Sequence, residues 1–88
     1  MVLNKYYLRC FYKKTQKQFY LVLELNDNDH LELCNFLFDY GIKIQMVTKE
    51  VIDNKNDNPD FRDLFKTYNF VEDSIDIIKE CLMMEEKL

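Results

Sequence analysis

Apolar and polar side chains alternate most strictly in Gln18–Leu25, QFYLVLEL. Phe19, Leu21, Leu23 and Leu25 fall on one side of an extended backbone, while Tyr20, Val22 and Glu24 fall on the other, which predicts a strand with one dry face. Val2–Tyr12 carries the same period, with Tyr6, Leu8, Cys10 and Tyr12 on the core side and Lys5, Tyr7, Arg9 and Phe11 opposite. The polar stretch Lys13–Lys17 between these two runs makes a hairpin the economical connection.

A helix is predicted over Asp29–Tyr40, because Asp29 followed by Glu32 has capping-box spacing and places acids at the positive end of the helix dipole. Its apolar residues sweep over half the circumference, leaving Glu32, Asn35 and Asp39 as the polar strip. Such a helix needs cover beyond the sheet, from another helix or a second subunit. Gly41 suits the left-handed residue that ends a helix. Ile42, Ile44 and Met46 then alternate with Lys43, Gln45 and Val47 in a third strand running toward Ile52. The strand–helix–strand order makes the second and third strands parallel, with 2-1-3 the favoured arrangement.

Asp53–Asn58, DNKNDN, reads as a solvated loop. Asn58 and Pro59 resemble an N-cap and first-turn proline, opening a helix to Asn69 with Phe61, Leu64, Phe65 and Tyr68 as its stripe. From Phe70 or Val71 to the end the pattern is again helical. One stripe is Val71, Ile75, Ile78 and Leu82; a second, rotated by about a third of a turn, is Ile77, Cys81, Met84 and Leu88. The expected fold is therefore a single α+β domain over residues 1–88. It is a two-layer ββαβαα sandwich, with a three-stranded mixed sheet and the helices packed on one face.

With 88 residues the chain sits near the size at which one core falls short without a disulfide, metal or partner subunit. Its 48 % apolar content is too high for a disordered segment. The net charge of −4 hides a split: residues 1–20 carry Lys5, Arg9, Lys13, Lys14 and Lys17 and no acid, so the remainder is strongly acidic. One glycine, one proline, no alanine, and lysine over arginine ten to two suggest an AT-rich genome, as in many phages and viruses. Cys10, Cys34 and Cys81 are odd in number and lie within apolar patterns, so they read as reduced thiols in a cytoplasmic setting. No signal peptide or membrane span is expected.

Catalytic signatures are weak. His30, the lone histidine, falls in a helix's first turn, and a single glycine excludes a glycine-rich phosphate loop. No cysteine–histidine spacing suggests zinc, and no catalytic residue, metal or cofactor is expected. The expected function is non-catalytic: a protein-interaction or regulatory module that docks onto a protein partner or forms a homodimer. Tyr7, Arg9, Phe11 and Tyr20 on the sheet and Ile77, Cys81, Met84 and Leu88 on the last helix are the candidate contacts. The alternative is binding of single-stranded RNA or DNA on the open sheet face. There Tyr7, Phe11 and Tyr20 would stack on bases, while Lys5, Arg9, Lys13, Lys43 and Lys49 track phosphates. Imitation of nucleic-acid phosphates by the acidic remainder ranks lower.

Overall fold

The computed structural model describes residues 2–57 and 66–86. It is α+β, in the order β1 (Asn4–Tyr12), β2 (Gln18–Leu25), α1 (Asp27–Asp39), β3 (Ile42–Met46), α2 (Lys49–Asp57), β4 (Lys66–Phe70) and α3 (Ile75–Glu86). The strands form one mixed sheet in the order β3-β1-β2-β4. Thus β1 is antiparallel to both neighbours and β4 is parallel to β2. The 2-1-3 arrangement of the first three strands is the one observed.

Leu8 lies opposite Leu21, Cys10 opposite Phe19 and Tyr6 opposite Leu23, which brings the two alternating patterns onto one face. The hairpin closes with Tyr12 N–H donating to Lys17 O at 2.9 Å and Gln16 N–H to Tyr12 O at 2.7 Å. With no glycine in the loop, the left-handed turn residue is Gln16, at φ 60°. Helix α1 begins earlier than expected. Asn26 is its N-cap, accepting from Asp29 N–H at 2.8 Å, and its amide donates back to the Asp29 carboxylate at 3.2 Å. Gly41 ends the helix at φ 72°, as the pattern required.

Helices α1 and α3 share the face that holds the core. Leu8, Cys10, Leu21, Leu23, Leu33, Leu37 and Ile78 are fully buried there, and Leu82 and Phe70 close its far side. The Tyr12 hydroxyl donates to the Leu82 carbonyl at 3.5 Å, and Lys79 links the helices through Glu32 at 3.2 Å.

The structure departs from the sequence reading in five places. Strand β3 stops at Met46 instead of running toward Ile52. The presumed Asp53–Asn58 loop is instead mostly helix, the C-terminal half of α2. Of the helix expected over residues 58–69, positions 58–65 lie outside the described residues, and Lys66–Asn69 belong to β4, making the sheet four-stranded. The last helix starts at Ile75 rather than near Val71, with Ser74 Oγ accepting from Ile77 N–H at 3.5 Å. The helices do not all share one face either, since α2 covers part of the opposite side.

Candidate functional site

The face of the sheet turned away from α1 and α3 is built by period two. Strand β1 contributes Lys5, Tyr7, Arg9 and Phe11, and β2 contributes Gln18, Tyr20, Val22 and Glu24. Lys43 and Gln45 come from β3, Thr67 and Asn69 from β4. Helix α2 docks on the β2–β4 half. Ile52 is buried, and Lys55, only 8 % exposed, places Nζ 3.1 Å from Thr67 Oγ1 and 4.8 Å from the centre of the Tyr20 ring. Burial pushes the Lys55 ammonium below its ordinary pKa.

Two shallow clefts flank this contact. One, of about 560 Å³, runs between α2 and the sheet past Lys5, Tyr7, Val22, Lys49 and Asn69. The other, of about 500 Å³, lies on the uncovered half between Arg9, Phe11, Gln18, Lys43 and Gln45. In it the Arg9 guanidinium donates twice to Gln18 Oε1, from Nε at 3.1 Å and from Nη2 at 2.7 Å. That side-chain pair fixes the planar cation in the cleft that Phe11 also lines, with three of its five donors left over. Lys43 stands directly opposite Phe11 on the other neighbouring strand.

The residues singled out from sequence are therefore divided. Arg9, Phe11 and Lys43 come together in the second cleft, while Lys5, Tyr7 and Lys49 line the first. Tyr20 is buried between them and cannot offer a ring to a ligand while α2 is docked, which corrects its assignment to an open face. Lys13 turns to the other layer, its Nζ 5.9 Å from the Phe38 ring centre, so it also leaves the set. On α3, Ile77 and Met84 are exposed, while Cys81 is half-buried against the core. Leu88 lies outside the described residues.

A second constellation was not foreseen. His30 stacks on Tyr6 with ring centres 3.6 Å apart, and its Nε2 lies 3.6 Å from Cys34 Sγ one helical turn on. Tyr6 donates its hydroxyl proton to Asp27 Oδ1 at 2.7 Å. The i, i+4 spacing of His30 and Cys34 on a strongly apolar helix was the signal available for it. Burial lowers the His30 pKa, against the raising influence of Asp27, and raises that of Cys34. Both shifts favour neutral imidazole beside neutral thiol, the opposite of an activated thiolate pair.

Among the described residues, no group of three His, Cys, Asp or Glu side chains is placed to hold a metal ion. No helix among them is long and apolar enough to cross a membrane. No family model, curated protein or solved structure matches the chain.

Proposed function

We propose that this chain is a non-catalytic interaction or regulatory module that takes up an acidic segment of a partner protein in the cleft formed by Arg9, Phe11, Gln18, Lys43 and Gln45. The observation that carries this reading is the Arg9 guanidinium, held by Gln18 in one cleft with half-buried Phe11 and with Lys43. An arginine fixed in this way loses little freedom when it pairs with a carboxylate, and arginine and aromatics are the residue types that anchor protein interfaces. The cleft is open and shallow, which suits a surface segment better than an enclosed small molecule. Three unpaired cysteines favour a reducing interior such as the cytoplasm.

Single-stranded nucleic acid is the second reading, favoured by the row Lys5, Tyr7, Arg9 and Phe11 along one strand. One feature weighs against it: Tyr20, one of the rings such a platform would need, is covered by α2.

An array of acidic and neutral peptides, probed with the labelled protein, separates the two. Asp- and Glu-rich peptides are expected to bind, with affinity falling about tenfold or more in Arg9→Ala and little changed in Tyr20→Phe. Binding of mixed-sequence oligonucleotides that weakens with salt and with Phe11→Ala, in the absence of peptide binding, would replace this reading with the nucleic-acid one.

A further inference from the structure

Helix α1 is only half covered. Leu33 and Leu37 face the sheet, and Glu32 and Phe36 turn toward Lys79 of α3. Leu31 and Phe38, seven residues apart and so on one line of the helix, lie on the side away from α3, 62 % and 72 % exposed. That side overhangs β3, the end strand of the sheet, where Met46 is 60 % exposed.

The backbone of β3 also has an open side. Val47 N–H donates to Tyr7 O at 2.9 Å and Lys13 N–H to Gly41 O at 3.1 Å, which makes the odd-numbered positions of β3 the ones bonded to β1. In an antiparallel ladder the alternate residues then direct N–H and C=O outward, here Ile42, Ile44 and Met46. Among the described residues, no proline, bulge or inward charge within β3 protects this edge.

We infer that a second copy of this chain occupies it, by antiparallel pairing of β3 with β3 about a two-fold axis through Ile44, beside the docking cleft proposed above, with which it shares Lys43 and Gln45. Three features make the edge self-complementary. First, the register sets Ile42 opposite Met46 of the second copy, and Lys43 opposite Gln45, so no like charges face each other. Second, the axis falls at the right height on α1. From Gly41 to Ile44 the strand climbs about 10 Å, and a helix of about 1.5 Å rise reaches that height six to seven residues back, at Cys34 and Asn35. These lie midway between Leu31 and Phe38, so each copy's Leu31 meets the other's Phe38, with Met46 beneath them.

Third, the gap fits the side chains. His30 stacks on Tyr6, so α1 stands over β1, and β1 and its symmetry mate are three strand spacings apart, about 14 Å. That is wider than close helix packing, at 8–10 Å, and needs large residues to fill it. Leu31, Phe38 and Met46 are such residues. Together they would withdraw on the order of 350 Å² of side-chain surface per copy from water, before the paired backbones are counted, which places the contact toward the lower end of specific interfaces.

Sedimentation velocity of the full chain across a hundredfold concentration range tests the pairing. The wild type is expected to form dimers. Met46→Pro removes an outward N–H and the Met46 side chain from the seam but no hydrogen bond to β1, so it should yield a monomer with unchanged far-UV circular dichroism. Gln45→Lys sets lysine against Lys43 at two places and should weaken the dimer about tenfold; Gln45→Glu should tighten it several-fold, less so in high salt. These exposed substitutions keep the test decisive if the proline variant fails to fold. A chain monomeric throughout the range overturns the inference, as does a dimer indifferent to both Gln45 substitutions. Arg9→Ala should leave dimerisation unchanged, so failure of the docking cleft and failure of the edge pairing read separately.

Discussion

Ile52→Ala is the perturbation that bears most directly on how the far face of the sheet is controlled. Helix α2 has nine residues, too few to hold a helical form alone in water. Its attachment rests on buried Ile52 and on the Lys55 contacts with Thr67 and Tyr20. The substitution removes three carbons from a buried site, about 2.4 kcal/mol at roughly 0.8 per methylene. The open cleft alongside lets neighbours and water settle into the space, so about 2 kcal/mol is expected, near the low end for such truncations. That multiplies the population with α2 lifted off the sheet about 30-fold. Native-state hydrogen exchange of individual amides should register this as an acceleration of about that factor in α2.

The reciprocal substitution, Leu82→Ala, acts on the opposite layer. It weakens the native state and the α2-lifted state alike, so it should speed exchange in β1 and β2 while leaving α2 unchanged. Equal acceleration of α2 and β1 by Leu82→Ala would refute the reasoning, because α2 would then open only with the whole molecule. Unchanged α2 exchange in Ile52→Ala would refute it from the other side.

Two further outcomes are expected. Burial pushes the Cys10 thiol up to about 12, from 9.0. Its folded pKa therefore lies above the unfolded one, and the stability it contributes is intact below pH 9 and lost as pH rises toward 12. The loss is about 1.4 kcal/mol per pH unit, and urea midpoints between pH 8.5 and 10.5 should fall less steeply in Cys10→Ala than in the wild type. Asn26→Ala deletes the reciprocal cap with Asp29 and should cost about 1 kcal/mol in urea unfolding; an unchanged midpoint would show that the cap bond contributes nothing.

The first half of the fold was legible because both of its periods are strong. Alternation in Gln18–Leu25 and a broad helical sweep after Asn26 leave little choice, and Gly41 marks the join between helix and strand. The second half was not. Helix α2 docks through one isoleucine and the stem of one lysine, so no apolar stripe announces it, and DNKNDN reads as solvent-exposed turn. Strand β4 was lost because Tyr68 also fits a helical spacing with Phe61, Leu64 and Phe65. A clue was present: a hairpin alone leaves β2, the most apolar strand, with a bare edge, and Lys66, Tyr68 and Phe70 alternate as a covering strand must. Both misreadings propagate to the site. With α2 taken for a loop, Tyr20 looked available as a platform, while the pairing of Arg9 with Gln18 had no sequence signal beyond the hairpin register.

The parallel seam between β2 and β4 also bears on how the molecule is made. Its two sides are separated by some forty residues of chain, which a ribosome adds over roughly two to eight seconds. During that interval the nascent hairpin carries Gln18–Leu25 with one flank unsealed, beside neighbouring polysomal copies of the same strand. Completion of the sheet is thus a race between late synthesis and premature association. Slow translation after codon 25 should lower the soluble yield without altering the finished protein.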